Sequence, residues 1–124
     1  MKVEIDKFGK SHWGLLLYIE TRCVDYKGKL DFSQMRINGE RHPGLDVNRI
    51  RGKFPSHLKG GEKLENHDDW DCAEDLEASV LVKIDGTGVN PIMKMTALGW
   101  ETVGRLRAFK AEGGQCADFV FKRR

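Results

Sequence analysis

A chain of 124 residues, 40% hydrophobic and 32% charged, has the size and composition of one ordinary globular domain, which excludes a chain disordered throughout. Its longest apolar run, residues 15–19, is far short of the roughly 20 residues needed to cross a bilayer. Residues 1–10 alternate charges where a signal peptide would be apolar, so a cytoplasmic protein with no membrane partner is expected.

Three cysteines, Cys23, Cys72 and Cys116, are odd in number and widely spaced, and they read as reduced thiols buried like small hydrophobes. The net charge of +2 conceals a segregation along the chain. Arg36, Arg41, Arg49, Arg51, Lys53, Lys59 and Lys63 outweigh Glu40, Asp46 and Glu62 in one stretch. Glu65, Asp68, Asp69, Asp71, Glu74, Asp75 and Glu77 then follow with no Lys or Arg among them. A basic tail, Lys122, Arg123 and Arg124, closes the chain.

In chain order, Ser11 is placed to cap a first helix, whose apolar stripe is Leu16, Ile19 and Cys23 with Leu15 beside it. Gly28 marks its exit, and residues 29–37 suit a short strand or a helical turn. Residues 38–64 hold Pro43, Pro55 and five glycines among scattered apolar residues, which reads as a long basic loop with one helical turn at most. So long a loop inside a compact domain is either functional or contains an element that pattern does not reveal.

Asn66, Asp68 and Asp69 then suit the positive end of a helix whose buried stripe would be Trp70, Ala73, Leu76 and Val80. From Ser79 the residues turn β-branched, and the turn signal at Asp85-Gly86 predicts an antiparallel hairpin of residues 80–84 and 91–95. Thr96 is placed to cap a last helix carrying Leu98, Thr102, Leu106 and Phe109, with Gly113-Gly114 ending it. Residues 117–121 suit an edge strand. The expected fold is therefore α+β, one small domain over residues 1–124: helix, short strand, long basic loop, helix, hairpin, helix.

The second half of that order resembles a winged-helix domain of the MarR/PadR type, in which a helix ending L-E-x-x-G-L-[IV] leads through a hairpin to L-T-x-x-G. Met95-Thr96-Ala97-Leu98-Gly99 stands at the second motif. Leu76-Glu77 and Leu81-Val82 stand at the first, with Val80 where that family usually has glycine. The resemblance covers residues 66–110, and residues 38–64 would be an insertion. The whole chain also resembles small proteins carried by phages and prophages.

The resemblance implies a non-enzymatic DNA-binding protein of the transcription-regulator kind, with the hairpin as wing and the preceding helix in the major groove. That helix is acidic, however, and carboxylates near a duplex are repelled by its phosphates. DNA contacts are therefore expected from Arg36, Arg41, Arg49, Arg51, Lys53 and Lys59, which a homodimer would bring together. The alternative partner is a host protein: an adaptor or inhibitor would dock through Asp68, Trp70, Asp71, Glu74 and Asp75 on the acidic helix.

Chemistry has weaker signals. Residues 66–72 crowd imidazole, carboxylate and thiol together, yet they match neither a calcium loop nor paired zinc ligands, so no metal and no other cofactor are expected. Gly9-Lys10-Ser11 resembles the end of a phosphate loop, but the earlier glycine that such a loop needs falls on Glu4. Cys116 could pair with one of His12, His42, His57 and His67, but nothing local activates the thiol, and no catalysis is expected.

Overall fold

A computed structural model describes residues 3–25, 30–31, 56–65, 67, 69–85 and 92–121. Helix α1, Lys10–Asp25, runs through the middle of the fold. It packs on two further helices, three strands and the C-terminal turn, which is why its buried residues exceed a simple amphipathic stripe. Leu15, Leu16, Ile19 and Cys23 are buried as expected, and His12 and Trp13 join them.

The start of α1 departs from expectation. Gly9, not Ser11, opens the helix, its carbonyl accepting from the Trp13 amide at 3.1 Å. A Cβ at Gly9 would lie 2.3 Å from the carbonyl carbon of Leu58, so only glycine lets the helix start against that backbone. Ser11 then lies within the first turn, and its hydroxyl accepts the His57 amide at 2.9 Å, tying α1 to its neighbour.

That neighbour is an element hidden in the supposed loop. Strands β2, Ser56–His57, and β3, Lys63–Leu64, pair antiparallel with Ser56 opposite Leu64. A 3-10 turn at Lys59–Gly61 joins them, with Gly60 and Gly61 both at positive φ. Strands of two residues offer no alternation for a pattern to detect. Residues 38–55 lie outside the described residues, as do residues 86–91.

The main sheet has the order β1-β5-β4, all antiparallel, from β1 (Leu30–Asp31), β4 (Val82–Asp85) and β5 (Ile92–Met95). The expected hairpin is present, though its first strand begins at Val82 because Val80 and Leu81 belong to the turn after the helix; Val82 is opposite Met95 and Ile84 opposite Met93. Its period of two sends Val82 and Met93 into the core and leaves Lys83 and Lys94 exposed on the other face.

Helix α2, Asp69–Ala78, enters this hairpin through a tight reversal. The Leu81 amide donates to the Leu76 carbonyl at 3.0 Å and the Val80 amide to that of Glu77 at 2.9 Å, the paired bonds of a Schellman cap. Buried Leu76 and Leu81 supply the apolar contact that goes with it. Val80 takes the left-handed position at φ 65° and is 59% exposed, so it is not part of the buried stripe that its spacing suggested. Ala73 and Leu76 are buried as expected.

Helix α3, Ala97–Ala111, is capped by Thr96 as expected, the Gly99 amide donating to the threonine hydroxyl at 2.9 Å. The same hydroxyl donates to the Val80 carbonyl at 2.5 Å, and the Thr96 amide to the Leu81 carbonyl at 3.2 Å. Gly99 sits directly against this junction, since a Cβ there would come within 2.0 Å of the Leu81 carbonyl oxygen. Thr96 and Gly99 thus lock the end of α2 to the start of α3.

Residues 117–121 do not form the expected strand. Cys116–Asp118 is a 3-10 turn, and buried Phe119 meets Trp13 edge-on, with ring centres 5.0 Å apart. Core burial of that ring outweighs a single row of edge hydrogen bonds.

A β-branched residue held at positive φ costs about 1–2 kcal/mol. Val80→Gly should therefore raise stability by about 1 kcal/mol, seen as a higher urea midpoint, because the exposed valine gives up little packing. Gly99→Ala should lower the midpoint sharply.

Candidate functional site: a buried His-Asp-His cluster

The largest concentration of chemistry among the described residues is inside the fold, where α1, β2 and α2 meet. Helical spacing puts Cys72 and Asp75 on the face of α2 that Ala73 and Leu76 bury against α1. His12 comes from the first turn of α1, Ser56 from β2, and His67 from just before α2. Gly9 and Ser11 hold α1 close enough to β2 for these groups to meet.

Asp75 is the hub. It is 1% exposed, and its Oδ2 accepts from Nε2 of His12 and from Nε2 of His67, each at 2.8 Å. Its Oδ1 accepts the Val3 amide at 3.1 Å, which pins the N-terminal segment over the cluster. Burial pushes the carboxyl up, but the bonds from His12, His67 and the Val3 amide outweigh it and lower it from 3.8 to about 2. An ionised carboxylate only accepts, so each histidine must carry its proton on Nε2.

On the far side of His67, Nδ1 lies 2.7 Å from Ser56 Oγ and 3.8 Å from Cys72 Sγ. The Ser56 hydroxyl also lies 2.7 Å from the His67 carbonyl and 3.3 Å from the Cys72 sulfur. Phe8 closes the opposite end, stacked on the His12 ring at 4.2 Å. Ser56, His67 and Asp75 have the connectivity of a hydrolase relay. All three are buried, however, and the serine hydroxyl is already engaged with the carbonyl of the very histidine it would need as a base.

The sequence-derived sites fare differently. Asp75 was expected on an exposed docking face and is instead buried in the core, 1% exposed. Glu77, part of the same acidic run, accepts the Ile84 amide at 2.9 Å. Glu74 is exposed and Asp71 half-buried. Asp68 and the side chain of Trp70 lie outside the described residues, as do Arg36, Arg41, Arg49, Arg51 and Lys53. Lys59 is exposed on the turn between β2 and β3. Of the other tryptophans, Trp13 is core and Trp100 is 42% exposed.

His12, Ser56 and the pairing of His67 with Asp75 escaped sequence reasoning because the partners come from separate elements; His12 and Asp75 are 63 residues apart. The available signal was local to α2, where a helical wheel puts Asp75 beside Cys72, at the edge of the apolar arc that Leu76 and Ala73 continue.

No protein-family model, curated protein or solved structure matches this chain.

Because the folded carboxyl lies below 3.8, Asp75 stabilises the fold at every pH above about 4, and that contribution is lost as the pH falls through about 2. The gap corresponds to about 2 kcal/mol. Asp75→Asn should cost on the order of 3 kcal/mol in urea unfolding at neutral pH, since it leaves buried N–H groups short of an acceptor. The difference from wild type should narrow as the pH drops from about 4 towards 2.

Proposed function

We propose that the chain is a non-catalytic, winged-helix-like domain that binds DNA. The observation that carries this reading is the arrangement around the hairpin. An early strand, β1, completes the sheet on β5; α2 turns through a left-handed residue into β4; and α3 follows from a threonine cap. The left-handed residue is Val80, at the position where the MarR/PadR pattern has glycine, and the closely packed glycine of that pattern is Gly99. Both motif positions have the backbone environment that the pattern's residue types would require.

Two further observations favour DNA over a protein partner docked on the acidic helix. Asp75 is buried in the core and Glu77, though exposed, is bonded to the Ile84 amide, so fewer carboxylates of α2 are left to face a partner of either kind. The strands of the proposed wing also present Lys83 directly opposite Lys94, both exposed. Phosphates of a duplex backbone would meet this face of the hairpin. The basic stretch containing Arg49, Arg51 and Lys53 would add contacts to the backbone of the duplex, and a homodimer would double them.

Fluorescence anisotropy with a mixed-sequence duplex tests the reading. Wild type should bind at about 50 mM salt and weaken steeply towards about 200 mM. The Lys83→Glu/Lys94→Glu variant should bind on the order of tenfold more weakly with a shallower salt slope, and so should reversal of Arg49, Arg51 and Lys53. Absence of binding by folded wild type at the lower salt would refute it.

A further inference from the structure

The cluster around Asp75 has a composition that a hydrogen-bond network alone does not call for. A ring nitrogen of His12, a ring nitrogen of His67 and the Cys72 sulfur all lie within 4.8 Å of one another, and all three residues are buried. Imidazole and thiolate together are the donor set of zinc. We propose that His12, His67 and Cys72 hold one zinc ion, with Asp75 outside the coordination sphere orienting both imidazoles.

The geometry fits at three points. First, Asp75 Oδ2 takes Nε2–H of both rings, which leaves Nδ1 of each as the donor atom. A histidine that binds a metal through one nitrogen commonly gives its other N–H to a carboxylate, which fixes the tautomer and raises the basicity of the ligand. Here one carboxylate oxygen does this for two rings.

Second, the separation of His67 from Cys72 is close to that of two ligands in a tetrahedral site. Zinc bonds of about 2.0 Å to nitrogen and about 2.3 Å to sulfur at a tetrahedral angle imply a nitrogen-to-sulfur separation of about 3.5 Å. His67 Nδ1 and Cys72 Sγ are 3.8 Å apart. Ser56 Oγ, 2.7 Å from that nitrogen and 3.3 Å from that sulfur, marks the side on which the fourth position lies.

Third, the charges cancel. On binding, the Cys72 thiol gives its proton to solvent, and the two positive charges of zinc are then met by one thiolate and the Asp75 carboxylate, with both imidazoles neutral. A buried assembly of no net charge avoids the desolvation cost that an uncompensated ion would incur. The same charge balance gives a reason for a carboxylate this deep in the core.

The site differs from common zinc motifs in that its ligands are not paired in sequence: His67 and Cys72 are 5 residues apart, and His12 is on another helix. Zinc would join α1 to α2 directly. The proposal is independent of the DNA reading, since the cluster is internal and the lysines of the hairpin are on the surface.

The test loads chelator-stripped wild-type protein with cobalt(II) alone. One equivalent should bind, with the visible absorption of a tetrahedral site and a near-ultraviolet thiolate-to-cobalt band, and zinc should displace it. Cys72→Ser should abolish the thiolate band, while Cys116→Ala leaves it unchanged. NMR of cadmium-loaded wild type gives the same answer without a variant, as scalar coupling from the metal to the Cys72 Hβ protons and to both histidine rings. Folded wild type that takes up no cobalt overturns the proposal, and so does a thiolate band that survives Cys72→Ser or a coupling that appears on Cys23 or Cys116 instead.

Discussion

The fold depends on one buried carboxylate. Asp75 gathers the N-terminal segment through the Val3 amide, α1 through His12, and the approach to α2 through His67. A carboxylate in a core is tolerated only when its lone pairs are met, and here four groups of separate origin, counting its own helix, must be in place together. The apolar core around it, from Phe8 and Trp13 to Leu76 and Leu106, supplies the larger driving force but is indifferent to small rotations of α2. The carboxylate is not, because both imidazole bonds are directional.

The other end of α2 is held as firmly by different means. Val80 in a left-handed turn, Thr96 bonded back to the Val80 carbonyl, and Gly99 against Leu81 make one joint of the helix, the hairpin and α3. Glu77 adds a bond from α2 to the strand beside it. With the polar cluster at one end and this joint at the other, α2 and the hairpin are set relative to α1 as a unit. The proposed DNA binding would use such a rigid helix and hairpin, with Lys83 and Lys94 exposed on the outward face.

Much of this was legible in the sequence wherever a period could express it. The stripe Leu16, Ile19 and Cys23, the alternation in β4 and β5, and the cap at Thr96 are local patterns, and local patterns were enough. The hairpin of β2 and β3 was not legible, since two-residue strands around Gly60-Gly61 have no period. Ser11 was misread as a cap because its hydroxyl is used across to His57, a contact no window contains. Val80 fell at helical spacing from Leu76, but the helix had already ended. Asp75 was misread for a simpler reason: surrounded by acids, it was given to solvent with them, although its place next to Cys72 on the helical wheel puts it at the edge of the inner face.

The most direct test of this account is the state of the two histidine rings. Long-range nitrogen–proton correlation NMR of wild-type protein should show His12 and His67 both protonated at Nε2, with both protons exchanging slowly with water and with Asp75 as the common acceptor. That result is required whether or not a metal occupies the Nδ1 side. If either ring carries its only proton on Nδ1, or exchanges its Nε2 proton as fast as an exposed imidazole, Asp75 does not hold the two together and the account of the core is wrong.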